Sequence, residues 1–419
     1  MTINKKKKAV VFFWDGWIST SPSITNTLLL LAKNGYEVDC ISNYPGHEFA
    51  EEIKFPKEIK IYRHGKPHIP INNTQKTLVQ KPIQSFIYKI KSALGLSNIR
   101  SNFLHNRSIM KRFQSYISFS KKITSNQIYD LVIGVDTFGL AAAGKVMKSN
   151  NAKFVYYSLE LHFLKEYKYK ANKIIKRLEK KYHKKCDITI IQDKYRLEAL
   201  YRENNLSLDM KKALIIPNSP IGISVPMKSN YFRNMFKLTE KNIIILHAGG
   251  LSQGYMNEEV ATAAASFPDN WKLIFHFAEF LEMDNPQIQK LASLSGNKAN
   301  FSLKPVPFDK LEEITNSADI GIVFYNKNRG LNHSLIVGAS GKLANYMRSG
   351  LPVIALNLPG FKELFNEYKG GVVIENWEET NYAINIILEN YEKFRNGAYK
   401  CFDEVYEFEK HFNLFLEKL

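Results

Sequence analysis

The apolar residues of this 419-residue chain fall into short unbroken runs, and the runs alternate with stretches of helical spacing. In the first half Ala9–Trp14 is such a run, and further strands are expected at Tyr36–Ser42, Leu131–Val135, Lys153–Ser158, Ile188–Gln192 and the shorter Leu214–Pro217. A run that is apolar without alternation predicts a strand covered on both faces, the habit of parallel sheets flanked by helices. Between the first two of these, Ser23–Lys33 has helical spacing and ends at Asn34-Gly35, a helix-stop signal. This is a strand–helix–strand unit. The turn at Asp15-Gly16, after its first strand, stands where such sheets receive ligands. The Gly-x-Gly-x-x-Gly dinucleotide spacing is absent there.

Residues 65–125 break the rhythm, with few strand signals and many Lys, Arg, Asn and Ser. Within them SFIYKIKSAL sets Phe86, Ile90, Ala93 and Leu94 on one helical face, with Lys89 and Lys91 nearby. An amphipathic basic helix of this kind lies on membranes or covers a sheet with its basic face in solvent, and the pattern leaves both open. A second basic helix runs from about Tyr167 to Lys185. Pro217–Asn230, with three prolines, reads as a linker.

Beyond the linker the alternation restarts. Strand Asn242–His247 leads into the turn Ala248-Gly249-Gly250-Leu251-Ser252, then helix Glu258–Ser266 and strand Trp271–His276. A helix to about Leu294, a short strand near Phe301–Leu303 and a helix at Phe308–Ser317 come next, and the stretch from Thr380 is helical. The predicted fold class is α/β, with two Rossmann-like doubly wound domains. The expected boundaries are 1–222 (basic insertion at about 65–125), 223–400, and a final helical piece at 401–419.

Composition narrows the partners. With 45% apolar residues each domain can bury a core of its own. No run approaches the roughly 18 apolar residues of a membrane-spanning helix. The start MTINKKKKAVVFFW is basic and then briefly apolar, lacks a small-residue cleavage site, and reads as a cytosolic start rather than a signal peptide. Cys40, Cys186 and Cys401 are far apart and read as reduced thiols, not a zinc site. Charge is divided between the halves. Residues 1–240 hold 41 Lys and Arg against 18 Asp and Glu, a net +23, whereas residues 241–419 hold 17 against 22, a net −5. The first domain is therefore expected to meet a polyanion: an anionic membrane surface, a phosphate-bearing lipid acceptor or nucleic acid. The basic–aromatic interleaving of a single-strand groove is missing, so nucleic acid is not expected.

The most informative stretch is Ala318–Glu375. SADIGIVFY is a buried strand, NKNRGLNHSLIVGAS a polar loop, GKLANYMRSG a helix that opens on Lys342, and LPVIALNLPGFKE a second strand with its turn. Backbone amides at a helix start, next to a lysine, suit a diphosphate. Through Ala318, Asp319, Ile320, Ser340, Lys342, Leu343, Tyr346, Met347, Gly350, Pro352, Val353, Ile354, Gly360 and Glu363, the stretch resembles the donor-binding half of family-4-type (glycosyl transferases group 1) nucleotide-sugar glycosyltransferases with the GT-B fold. The match covers the C-terminal half well and the N-terminal half weakly. It implies two domains facing across a cleft and a last helix, Phe402–Leu419, crossing back to the first domain. It also implies a nucleotide-sugar donor substrate, no cofactor and no bound metal.

The resemblance assigns roles residue by residue. Lys342 is the cation for the leaving diphosphate, with Ser340 and Gly341 supplying amides. Asn332, His333 and Ser334 stand where relatives hold the donor sugar or phosphates. Gly249 and Gly250 let phosphate approach the backbone. An expected Arg or Lys pair after that turn is replaced by Gln253-Gly254, and Arg329 is the candidate to compensate. Glu363 matches a glutamate near the ribose. In the first domain Glu160 is the first candidate base, His162 the second and Asp136 the third. Asp15, Gly16 and Trp17 are candidates for the acceptor side, where Trp14 or Trp17 could stack on a sugar. Asn345 stands where retaining relatives carry the second glutamate of a pair, so the stereochemistry stays open.

The function so implied is transfer of a sugar from a nucleotide-sugar donor to a hydroxyl of a lipid-linked or saccharide acceptor. Its setting would be surface polysaccharide biosynthesis by a cytoplasmic protein, peripheral on the inner face of the plasma membrane. The alternatives are a nucleotide-sugar epimerase or phosphorylase on the same fold, and a non-catalytic basic protein that binds polyanions or membranes.

Overall fold

Two all-parallel sheets organise the chain. The computed structural model describes residues 6–45, 53–67, 96–147, 151–307 and 310–419. The first sheet has the order β3-β2-β1-β4-β5-β6-β7. Its strands are β1 (Lys7–Phe13), β2 (Tyr36–Asn43), β3 (Ile59–His64), β4 (Leu131–Val135), β5 (Lys153–Tyr157), β6 (Ile188–Ile191) and β7 (Ala213–Ile215). The second sheet, β10-β9-β8-β11-β12-β13, repeats the same winding. It contains β8 (Ile243–Gly249), β9 (Trp271–Phe277), β10 (Asn300–Ser302), β11 (Ile320–Val323), β12 (Val353–Leu356) and β13 (Gly371–Ile374). Strand order reverses between β1 and β4 and between β8 and β11, the two places where such sheets open a crevice at their C-terminal edges.

The unbroken apolar runs are central strands. Ala9 to Phe12 in β1 and Ile320 and Ile322 in β11 have no exposed surface, because helices cover both faces. β3 and β13 are edge strands outside the expected set: Lys60, Tyr62 and Arg63 keep β3 mixed in character, and β13 is only the four residues GVVI. The helix Asp136–Val146 was also missed, since DTFGLAAAGKV buries small residues on most sides and shows no stripe. Within 65–125 the chain forms a 29-residue helix, Leu96–Thr124. The segment around Phe86, Lys89, Ile90, Lys91, Ala93 and Leu94 lies outside the described residues. The helix expected at Phe308–Ser317 covers only Leu311–Thr315, and Phe308 is likewise outside them.

The chain returns to its start, as the fold class required. The last helix, Phe408–Leu416, buries Phe408, Phe412 and Phe415 completely against Leu28, Leu31 and the first sheet. The segment after β7 is tied to the returning chain: the Gly222 amide donates to Glu407 at 3.0 Å, and Ser224 donates to Asp403 from its amide (2.6 Å) and its hydroxyl (2.9 Å). Truncating a buried phenylalanine costs about 3–5 kcal/mol. Phe412→Ala should therefore loosen the first sheet, read as earlier urea unfolding and faster amide exchange in β1 and β2.

Candidate functional site

Lys342 is held out of water with nothing to neutralise it. It is the second residue of the helix Gly341–Arg348. Tyr346, one turn on, lies flat on β11, where Gly321 leaves room; a Cβ there would come within 2.3 Å of the Tyr346 ring. The Tyr346 hydroxyl accepts from the Ala248 amide at 2.9 Å, which ties the helix to the end of β8. So anchored, the helix delivers the Lys342 ammonium between two rings, 5.0 Å from the centre of Tyr325 and 5.5 Å from that of Tyr255. The stem is half-exposed, but Nζ is shielded from solvent and has no hydrogen-bond partner. Burial pushes its pKa down to about 7. Cation–π contacts are attractive, yet they do not replace the hydrogen bonds a buried ammonium loses.

Other polar groups crowd the same place. Tyr255 packs on Gly249 and Gly250, and His333 on Gly254. His333 Nδ1 is also buried without a partner. The Glu279 carboxylate lies against Gly250 and accepts from the Leu251 amide at 3.4 Å. Tyr255, Tyr325 and Glu279 were not singled out from the sequence. Aromatics read as core, and Glu279 follows an ordinary strand with no motif around it.

The first domain supplies the facing wall. Asn332, in the loop after β11, donates from Nδ2 to Glu160 Oε2. Its Oδ1 accepts from the Leu161 amide and from Arg196 Nη2, each at 2.9 Å. Arg196 also donates to Leu159 O (2.7 Å), Leu335 O (2.9 Å) and Asn332 O (3.4 Å). Glu160 acts electrostatically on both Tyr255 and Tyr325, the pair that holds Lys342, so the carboxylate of the first domain lies within reach of those two rings. His162 stacks on Tyr167 at 5.7 Å. Burial draws its pKa down, Glu179, Glu160 and Asp15 pull it up, and Lys176 adds to the fall. Asp15 keeps an open face but is ringed by protein. Lost hydration raises its carboxyl, His162 opposes the rise and Glu160 adds to it.

Several candidate residues have partners of their own. Asp136 Oδ1 accepts the amides of Leu159 (2.7 Å) and Glu160 (2.9 Å), so its work is to shape the turn that carries Glu160. Burial raises its pKa well above the carboxylate range, with the Glu160 amide the largest opposing influence. Asn332 bridges the domains with its amide. Ser340 caps its helix, its Oγ accepting from Leu343 N at 3.1 Å and meeting the Tyr325 hydroxyl at 2.9 Å. That leaves the Gly341 and Lys342 amides as the free donors of the helix start. Ser334 turns back to carbonyls of its own loop. Arg329 is exposed on that loop. Glu363 pairs with Lys194 of the first domain at 2.7 Å on the surface, which lowers its pKa through that hydrogen bond. Gly16 gives its carbonyl to Arg63 at 2.9 Å, and Trp17 is half-buried beside it. Trp14 is packed on Phe138, Phe113 and Tyr116 and offers no free face for a sugar. Among the described residues no group of three or more His, Cys, Asp and Glu could hold a metal ion.

Solved structures share this two-domain arrangement. Sucrose-phosphate synthase from Thermosynechococcus elongatus matches with a TM-score of 0.67 at 13% identity, over 99% of this chain and 98% of its own. WaaG, a glycosyltransferase involved in lipopolysaccharide biosynthesis, matches at 0.63 and 12%, over 97% and 98%. HepE from Anabaena, in complex with UDP, matches at 0.62 and 12%, over 98% and 99%. The chain has the GT-B fold. No protein-family model matches it, and no curated protein sequence does. At such identities the likeness is one of architecture, and the chemistry of this GT-B cleft rests on its own residues.

A buried charge without a partner weakens the fold that holds it. In the unfolded chain Lys342 binds its proton up to about pH 10.4, but in the folded chain only up to about 7. Folding therefore sheds a proton between those limits, and stability rises with pH across the window. Lys342→Met should raise the thermal midpoint near pH 7, by about 2–4 °C for each kcal/mol relieved. The gap should narrow towards pH 10, as scanning calorimetry of both proteins across that range will show.

Proposed function

We propose that this protein is a nucleotide-sugar-dependent glycosyltransferase. One observation carries the reading: the Lys342 ammonium, beside the two unbonded amides of its helix start, is buried with no acceptor, and a diphosphate would supply one. Ammonium and amides then meet the charge that grows as the sugar–phosphate bond breaks. The neighbour HepE was solved with UDP, which favours a nucleoside diphosphate at this place. In the step proposed, an acceptor hydroxyl oxygen bonds to the anomeric carbon of the donor. The bond from that carbon to the diphosphate oxygen breaks, its electron pair leaving with the nucleoside diphosphate. Glu160 takes the acceptor's proton, and His162, kept neutral chiefly by burial, stands next to it as the alternative base. Closure of the two domains on the substrates would keep out water, the competing acceptor.

The acceptor side is basic. Helices Leu96–Thr124 and Lys170–His183 lie together, joined by the His105–Tyr169 stack at 4.0 Å and by the Ala171 amide to Asn106 at 2.7 Å. They expose Phe103, Leu104 and Ile174 among Arg107, Lys111 and Arg177. Apolar tips among cations suit an anionic lipid surface, where a lipid-linked saccharide acceptor is found. Among the described residues no helix is long and apolar enough to cross a membrane.

A thermal-shift screen of nucleoside diphosphates and nucleotide sugars tests the donor site. A true ligand at one hundred times its Kd stabilises by about 2.7 kcal/mol. That shift should vanish in Lys342→Met, and affinity should fall about tenfold per pH unit above 7, because binding recharges the lysine. No shift with any nucleotide sugar ends the reading; turnover without acceptor to an isomeric nucleotide sugar would mark an epimerase instead. For the surface, vesicles rich in anionic lipid should retain the protein and release it in high salt. Phe103→Ser with Leu104→Ser should weaken retention severalfold, and equal retention on neutral vesicles would speak against a charge-led surface.

A further inference from the structure

Among the described residues, Arg196 is the largest side chain removed entirely from solvent. It sits in the helix Lys194–Glu203 of the first domain, within a turn whose start is capped by Asp193. Its guanidinium donates to uncharged oxygens: the carbonyls of Leu159, Leu335 and Asn332, and Asn332 Oδ1. Burying a guanidinium against carbonyls is costly, and apolar side chains of the same volume hold two domains together as well or better. The arrangement accomplishes something that apolar packing cannot. An asparagine amide has two nearly isosteric ends, and only its hydrogen-bond partners decide which end faces where. Here Arg196 Nη2 and the Leu161 amide both donate to Asn332 Oδ1. The amide nitrogen is therefore turned to Glu160, whose carboxylate accepts from it.

We propose that Arg196, which touches no substrate, is a positioning residue that orients Glu160 through the amide of Asn332, and does so only when the two domains are docked. The proposal rests on the reading of Glu160 as the group that takes the acceptor's proton. The chain of contacts crosses the domain boundary twice. Arg196, Leu159, Glu160 and Leu161 belong to the first sheet's edge, whereas Asn332 and Leu335 follow β11 of the second. Domain opening removes Asn332 and leaves Glu160 free to turn. The base is thus assembled by the same closure that shuts water out. The backbone on either side is pinned too: Asp136 holds the Leu159 and Glu160 amides, and Asp193 Oδ2 accepts the Gly338 amide at 3.1 Å.

Two substitutions separate positioning from simple support. Arg196→Lys keeps a charge but loses the planar fork. Asn332→Asp keeps an oxygen for Leu161 and Arg196 but offers Glu160 no donor. The first measurement needs no substrate: hydrogen exchange of the peptides covering 158–163 and 331–336 in the full-length protein. Arg196→Lys should speed exchange there at least tenfold while β1, β8 and β11 stay protected, and Asn332→Asp should leave the 158–163 peptide slow. The second uses whichever nucleotide sugar the thermal-shift screen selects, following nucleoside diphosphate release. Both variants should lower kcat at least tenfold with the donor KM within about twofold. In a Glu160→Ala background, Arg196→Lys should change kcat less than twofold. Unchanged exchange in Arg196→Lys overturns the proposal, as does an Arg196→Lys loss of kcat that persists undiminished without Glu160. Loss of protection throughout the protein also overturns it, since Arg196 would then be a prop for the fold. A screen that selects no nucleotide sugar defeats the transferase reading, and with it the catalytic half of this proposal, whatever the exchange shows.

Discussion

An ammonium kept from water without an acceptor is the constraint around which this molecule is arranged. Lys342 reaches that position because Tyr346 fastens its helix to β8 and β11, and because Gly321 lets the ring lie flat on the sheet. Tyr255 and Tyr325 then enclose the charge without neutralising it. A fold optimised for stability alone would place a methionine or leucine there. The position makes sense as a receptor for negative charge: most of the desolvation is already done before a ligand arrives, and what the ligand adds is the missing partner.

Polar groups and close backbone contacts join the two domains. Arg196 gives its donors to carbonyls of both domains, Asn218 N donates to Gly338 O at 2.9 Å, and Asn218 Nδ2 donates to Ala339 O at 3.2 Å. Gly338 is pressed so near the Gln192 carbonyl that a Cβ would lie 2.2 Å from it. Directional contacts of this kind fix one docking geometry. The same contacts that close the cleft also aim Glu160.

Beneath the facing wall lies a second buried polar group. Lys176 and Glu179 pair at 2.6 Å with no exposure on either side. Thr137 and Asn204 also donate to Glu179, and His183 bridges Asn204 to Thr189. The pairing is nearly complete, as a low-dielectric interior demands. Its field reaches His162, where Glu179 favours the charged ring and Lys176 opposes it, so the balance of the pair tempers the loss due to burial.

The sequence by itself determined the sheets, their parallel sense, the doubly wound class, and Lys342 at the head of its helix. These follow from local pattern: apolar runs, helix stops and a lysine beside a helix start are legible because neighbours along the chain create them. It did not reveal β3 or the helix Asp136–Val146, whose residues carry no period. Nor did it reveal what each candidate side chain faces. Asp136, a candidate base, and Ser340, a candidate for the diphosphate, each accept backbone amides, while Glu363 meets Lys194 across the interface. Tyr255, Glu279 and Arg196 passed as core or surface. Only the tertiary structure decided those roles, because a hydrogen bond spends a polar group on whichever partner lies within about 3 Å. For Asn332 and Glu160 that partner comes from 172 positions away in the chain.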